Sequence, residues 1–497
     1  MKRKTWHKQH KWAGLAVCFF LLMFCLSGIL LNHRSWINDV NVPRSWLPSR
    51  YDYHDWNGGL LRGTLPVDDK ILIYGSGGMW LTDSVASEVR DFNEGLPEGA
   101  DYRQIRSAVV VQGVNRRHQQ VESLFAVSPF SLYRYGLHGV WNAVPLPLAE
   151  GERLTDLTCH GDTLVAVGRS HLYVSKWPFR HFRRVTLPAP SREKQRVTAF
   201  RMVWLLHSGE LFGDAGKFVV DMIGLVLFVL CLTGIILWTI PSLIRRLKRR
   251  GMKVKGWAKM FRSAFALHDG VGKYTVILTF LIALTGWCLR PPLMIPLVLS
   301  KIPPLPGTVL QSDNAWNDRL RMLRYDERRG DWLLSCSDGF YSLKDIDGAV
   351  PVKESSVPPV SVMGLNVWQM NDRGQWLCGS FSGMYVWDRQ KGTSVDYFSH
   401  RPAPKTSGPP FGQTVVSGYT SDICHRSIVV EYDKGTHAIA QPENLSRLPM
   451  SLWNVALEVH SGRIYFGNAA TYFFVFIAGI LCVWCLWSGF KIRKRRG

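Results

Sequence analysis

At 497 residues the chain is too long for one ordinary domain, and 46% apolar content with a mean hydropathy of −0.02 excludes a uniformly soluble or a uniformly membrane-embedded protein. A net charge of +22 would direct a soluble chain toward nucleic acid. Here nineteen of those charges sit in three acid-free clusters, five Lys/Arg in residues 1–31, nine in 241–262 and five in 491–497. Each cluster flanks an apolar run, so the basicity is a topology signal and nucleic acid is excluded as the partner.

The first apolar run sets the theme. It is preceded by Trp6-His7-Lys8-Gln9-His10-Lys11-Trp12, carries no charge from Ala13 to Leu31, and ends in Asn32-His33-Arg34. It is long enough to cross a bilayer and lacks the small-residue cleavage site of a signal peptide. On a helix His10 and His33 stand about 34 Å apart, one near each membrane face. Further spans are expected at about 217–240, 274–299 and 470–490, the first at about 12–31. Asp221 is the one acid inside them.

Alternating crossings put all three basic clusters on one side, which the positive-inside rule makes the cytoplasm. The expected order is a cytoplasmic tail with the first span (1–31), an outer loop (32–216), a second span (217–240), a basic inner loop (241–273), a third span (274–299), an outer loop (300–469) and a fourth span with a basic tail (470–497). In a bacterium this is a multi-pass protein of the inner membrane, with both termini cytoplasmic and both large loops periplasmic.

The chain repeats itself. His10-Lys11-Trp12-Ala13-Gly14 aligns with His268-Asp269-Gly270-Val271-Gly272, and fourteen residues on, Leu26-Ser27-Gly28 aligns with Leu284-Thr285-Gly286. Leu206-His207-Ser208-Gly209 aligns with Val459-His460-Ser461-Gly462, and Cys231-Leu232 with Cys485-Leu486 after one inserted residue. The halves are parallel repeats related by an axis along the membrane normal. His33 has no counterpart; Pro291 takes its place.

Both loops read as β-rich. An aliphatic strand, a small-residue turn and an aromatic strand recur at Ile71–Asp83, Leu124–Tyr135, Leu164–Lys176, Trp332–Lys344, Gln375–Asp388 and, more loosely, Ser427–Ala440. Intervals of roughly 40–50 residues suit the blades of a propeller-like body assembled from both loops. Segments 301–314 and 401–413 are rich in Pro and Gly and read as linkers or exposed loops. Of ten cysteines, Cys159, Cys336, Cys378 and Cys424 lie in the loops and are available for disulfides on an oxidising side. Cys482 and Cys485 form a C-x-x-C in an apolar helix and read as packing residues.

The repeat places His10 and His268 at the inner face, and His207 and His460 at the outer face. Axial haem ligation needs a neutral imidazole in a mostly apolar pocket, and a four-helix bundle supplies ligands from opposed helices. Interfacial hydrogen bonding is the alternative role. His7 neighbours His10 and is a substitute for it; His33 competes at the outer face. Gly14, Gly272, Gly209 and Gly462, beside the four histidines, would permit close approach of a backbone or a flat macrocycle. The other histidines are scattered in the loops without ligand spacing, and no phosphate loop, dinucleotide fingerprint, zinc-protease motif or nucleophile elbow is present.

These His/Gly signatures and the Leu-Ser-Gly and Leu-Thr-Gly span ends resemble the PepSY-associated transmembrane family. The resemblance covers the four spans and their flanks, and no PepSY module is legible in the loops. It implies a four-span inner-membrane protein similar to ferrisiderophore reductases, with one or two b-type haems on His10, His268, His207 and His460. The expected partners are the lipid bilayer, a periplasmic ferric chelate, and a quinol or separate protein as electron donor, because the inner segments are too short for a flavin or nicotinamide domain. The competing reading is a haem-free membrane-anchored periplasmic scaffold or sensor.

Overall fold

The computed structural model describes residues 3–114, 120–136, 138–190, 196–361, 363–404 and 412–494. The chain forms two compact units, one comprising Met1–Ile37, Lys194–Ser312 and Leu452–Gly497, the other Asn38–Glu193 and Asp313–Ser451. The first is helical and the second is built of β-sheets.

In chain order the helices are α1 (Arg3–Asn32), α2 (Ala199–Ser208), α3 (Gly213–Arg249), α4 (Lys255–Cys288), α5 (Met294–Leu299), α6 (Glu443–Ser446), α7 (Leu452–His460) and α8 (Arg463–Lys494). Four helical stretches are long and apolar enough to cross a membrane: Arg3–Asn32, Glu210–Arg249, Lys255–Cys288 and Ala470–Ile492. Ile277 is 80% and Phe473 73% exposed on their outer faces, which suits hydrocarbon rather than water. The α3 ends match its dipole, with Asp214 in the first turn and Arg246, Lys248 and Arg249 in the last.

The third crossing departs from its expected bounds of 274–299. Its helix starts at Lys255 and stops at Cys288, because Pro291 and Pro292 cannot continue the hydrogen-bond ladder. The remaining apolar residues form the six-residue α5, too short to cross.

Within the helical unit α1 packs against α3 and α8, and α4 packs against the same two. The order around the bundle is therefore α1, α3, α4, α8, with α1 and α4 facing each other across its interior. The short helices exchange halves: α2 packs on α4, and α7 on α1. This is the parallel repeat in three dimensions, since α1 corresponds to α4 and α2 to α7.

The β unit holds five four-stranded antiparallel sheets, over residues 63–91, 107–144, 154–185, 320–353 and 365–396, and a two-stranded sheet pairing Val416–Thr420 with Ile428–Glu431. No sheet closes on itself among the described residues. Five of the six expected hairpins are the second and third strands of a four-stranded sheet. In three of them a two-residue turn leads into a glycine at φ between 131° and 134° (Gly78, Gly339 and Gly383), a conformation a Cβ would oppose, and the aromatic strand follows. Ser427–Ala440 differs: it holds one strand, which pairs backward with Val416–Thr420. The expected linker 401–413 lies partly outside the described residues.

Apolar cores link successive sheets. Leu72 packs with Leu124, Phe125 with Leu164, Val165 with Trp332, Leu333 with Trp376, Leu377 with Val416, and Val430 of the sixth sheet with Trp80 of the first. Each large buried side chain contributes about 1.5–3 kcal/mol. The opening strands of all six sheets also line one cavity of about 250 Å³. All ten cysteines are free; Cys336 and Cys378 are buried in different cores, so the disulfides the sequence left available are not formed.

Candidate histidine sites in the helical bundle

His10 is on α1 and His268 on α4, the helices that face each other across the bundle. Their ring centroids are 6.1 Å apart. His207 ends α2 and His460 ends α7, and their centroids are 6.0 Å apart. The four histidines thus form the two pairs the repeat implies, one at each end of the bundle.

Each ring is held by a neighbouring helix in the same way. His10 Nδ1 lies 2.8 Å from Cys485 O and 3.4 Å from Ser488 Oγ. His460 Nδ1 lies 2.9 Å from Phe24 O and 3.3 Å from Ser27 Oγ. His207 Nδ1 lies 3.2 Å from both Ile282 O and Thr285 Oγ1. His268 Nδ1 lies 2.9 Å from Thr233 Oγ1. The Ser and Thr hydroxyls donate to carbonyls of their own helices, as Thr233 does to Val229 O at 2.7 Å and Ser27 to Met23 O at 2.7 Å. With the proton so placed, they accept from the imidazole.

A carbonyl cannot donate, and a hydroxyl whose proton is committed cannot either. His10, His207 and His460 therefore carry their proton on Nδ1, which leaves Nε2 as the aprotic nitrogen, the form in which an imidazole binds a metal, and the hydroxyl at His268 Nδ1 accommodates the same tautomer. A metal ion held linearly between two imidazoles at about 2.0–2.1 Å from each nitrogen would set the ring centroids roughly 6 Å apart. Both pairs have that spacing. Among the described residues no group of three or more His, Cys, Asp or Glu could hold a metal ion, so two imidazoles per site are what the bundle offers. A planar cofactor that fills the other four coordination positions needs no more than two.

A small residue lies against each ring. A Cβ at Gly28 would meet His460 Cε1 at 3.0 Å, at Gly286 His207 Cε1 at 2.8 Å, at Gly489 His10 Cε1 at 3.0 Å, and at Gly234 His268 Cε1 at 3.7 Å. The seat is a Ser/Thr-Gly pair, present once on each long helix: Ser27-Gly28, Thr233-Gly234, Thr285-Gly286 and Ser488-Gly489. Sequence reasoning saw two of these as repeat markers and missed the other two, although the dipeptide inside an apolar run was there to be read. It also assigned close approach to other glycines. Of these, Gly209 does admit a close backbone, since a Cβ there would stand 2.3 Å from Gly216 O, and at φ 82° it turns the chain after α2; Gly462 at φ 78° turns it after α7, and Gly14 packs toward Cys485 Sγ.

His33 is not brought to the His207–His460 pair. Its Nε2 lies 2.8 Å from Asp221 Oδ2, its ring stacks on Trp36 at 3.9 Å, and Asn32 donates to Asp221 Oδ1. The acid inside the second crossing is thus buried and partnered. His7 is exposed, on the turn of α1 before His10. Of the scattered loop histidines, His118 lies outside the described residues.

The model of one protein family, the PepSY-associated TM region, matches residues 7–496. The chain belongs to that family. The match takes in both units of this PepSY-associated protein, including the β-rich segments in which no PepSY module was legible. Among curated proteins none matches. Solved structures with some likeness include two extracellular domains from B. thetaiotaomicron, described as parts of a hybrid two component system and of a one component system. The first is 9% identical with a TM-score of 0.35, the alignment covering 76% of this chain and 32% of that one. The second is 10% identical with a TM-score of 0.31, covering 77% and 38%. The chain therefore spans about a third of the length of those proteins, and likeness at this level carries no argument about function.

Proposed function

We propose that this PepSY-associated protein is a haem b-containing reductase of the bacterial inner membrane that passes electrons across the bilayer to a periplasmic ferric chelate, such as a ferrisiderophore. The observation that supports it most is the pair of imidazole pairs, with centroids about 6 Å apart and Nδ1 of His10, His207 and His460 on helix carbonyls and of His268 on the Thr233 hydroxyl. His10 with His268 would hold one haem and His207 with His460 a second; bound there, haem supplies a one-electron carrier inside the bilayer. The chain's own residues orient the ligands: Cys485 O, Phe24 O, Ile282 O and Thr233 Oγ1 fix tautomer and ring direction, and the adjacent glycines keep the rings close to the helices.

Orientation follows the basic clusters, which put both termini in the cytoplasm and the β unit in the periplasm. The β unit is read as a six-bladed propeller, supported by six sheets whose opening strands share one cavity and whose cores link each sheet to the next and the sixth to the first. The donor is a membrane quinol or a separate protein. A reduced-minus-oxidised optical spectrum of the purified protein tests the reading: a b-type haem signal supports it, and a featureless difference spectrum from protein expressed with ample haem refutes it. That second result would favour a haem-free binding scaffold, the reading to which the cavity of the β unit also lends itself.

A further inference from the structure

The cavity of the β unit is cationic. Arg62, Arg106 and Arg324 reach its lining from three different sheets, with Tyr74, Thr158, Asn366, Gln369 and Tyr419 among them, and no carboxylate belongs to the wall. Two acids adjoin the wall: Asp422 Oδ2 receives the Thr64 hydroxyl at 2.5 Å, and Asp156 Oδ2 receives the Leu323 amide at 3.0 Å and Arg324 Nη1 at 2.5 Å while its Oδ1 is buried without a partner. Arg324 Nε is likewise spent on Trp368 O at 3.0 Å. Arg62 is different. Its Nη2 donates to Asn366 Oδ1 at 3.1 Å, but its Nε is enclosed by protein, with no acceptor within hydrogen-bond reach. An enclosed guanidinium N–H without an acceptor is costly, because a charged donor loses water and gains nothing in return. Burial accordingly lowers the Arg62 pKa, against the opposing pull of Tyr74 and Asp156.

We infer that this cavity binds a compact oxyanion, a carboxylate or a phosphate, with the Arg62 guanidinium as its principal ligand. An oxyanion in the cavity supplies charged acceptors to a guanidinium that otherwise donates to a neutral amide oxygen, and a planar fork matches two oxygens of one group. At about 250 Å³ the space suits an ion of the size of phosphate or a small polycarboxylate rather than a drug-sized molecule. Hydroxyls of Tyr74 and Thr158 line the same space and can serve further oxygens. The site draws on residues of the β unit alone, so it stands whether or not the bundle carries haem.

The test is calorimetric titration of the detergent-solubilised full chain with citrate and, separately, with inorganic phosphate, chloride serving as the monovalent control. Saturable binding of either oxyanion, weakened about tenfold or more in Arg62→Gln, is expected, because one charge-assisted bond is lost. Citrate alone binding would identify a carboxylate ligand, and phosphate alone a phosphate ligand. Arg62→Lys, which keeps the charge but loses the fork, should fall between, and the exposed Arg426→Gln should match the parent protein. If Arg62→Gln does not fold, Arg62→Lys with its salt dependence decides the matter. Absence of binding by both oxyanions at millimolar concentration, or equal binding by the parent protein and the Arg62 variants, would overturn the inference.

Discussion

Gly286→Ala separates the seat of a histidine from the stability of its helix. The new Cβ would stand 2.8 Å from His207 Cε1 and 3.4 Å from Nδ1, inside the roughly 3.5–4.0 Å of a favourable carbon contact. Overpacking of this kind costs about 1–3 kcal/mol. Displacing the ring also weakens its bonds to Ile282 O and Thr285 Oγ1, about 0.5–1.5 kcal/mol for a net hydrogen bond. Against this, alanine is about 0.8–1.0 kcal/mol better than glycine inside a helix. The helix should therefore hold while haem affinity at the His207–His460 pair falls by roughly 2–4 kcal/mol, or about 30- to 1000-fold. Gly270→Ala is the control, since it lies on the same helix and its Cβ would meet nothing within 4 Å. The assay is haem per polypeptide with the reduced difference spectrum, alongside a thermal melt. Gly286→Ala should lose one of two haems and still fold, melting a few degrees earlier than Gly270→Ala, because both gain the alanine helix preference and only Gly286→Ala bears the overpacking and the lost ligand. Identical haem content and spectra in the two variants would refute the reasoning.

Alanine at His10 or His268 should remove one haem signal and leave the other, and alanine at His207 or His460 should do the reverse and abolish reduction of a periplasmic ferric chelate; full haem in all four folded variants would dismiss the ligand assignment. Thr233→Val keeps the shape but removes the acceptor of His268 Nδ1, so it should weaken that site by about 1 kcal/mol and move its redox midpoint, while Thr233→Ser leaves both unchanged. Arg389 is 5% exposed and bonds Asp326, Asp331 and Glu354, so Arg389→Met removes the cation these three carboxylates share and should destabilise the β unit by about 3–5 kcal/mol, read as an earlier melt with the haem spectrum intact. Reporter fusions after Arg250 and after Arg319 should read inside and outside respectively, and the opposite result would invert the sidedness of every histidine.

Much of the helical unit was legible because its signals are local. A charge-free run from Ala13 to Leu31 must satisfy its backbone internally and so must be a helix, wherever its neighbours lie. The histidine pairs were legible through the repeat, since equivalent residues of two equivalent halves are brought to equivalent places. The third crossing was misjudged at its end for an equally local reason: apolar character continues to Leu299, but Pro291 and Pro292 break the ladder first. In the β unit, the alternation of side chains and the turn glycines marked the hairpins. The closing strands of the five four-stranded sheets, two to four residues each, were too short to be read; the opening strands, five to eight residues, lie outside the repeated strand–turn–strand pattern, and the sixth sheet pairs backward where a hairpin was expected.

By itself, then, the sequence determined that four apolar helices are long enough to cross, where five of the six hairpins lie and which histidines are equivalent, because hydrophobic length, side-chain alternation and internal repetition act between residues close in the chain or copied along it. Tertiary structure alone decided which carbonyl or hydroxyl lies at each Nδ1, that α2 packs on α4 and α7 on α1, that His33 goes to Asp221, and that Arg62, Arg106 and Arg324 converge on one cavity. Those outcomes join residues tens to hundreds of positions apart, Arg62 with Asn366 and His10 with Cys485 among them. No local preference encodes such a partner; it is set by which faces of the packed helices and sheets bury the most apolar surface while leaving each buried donor an acceptor.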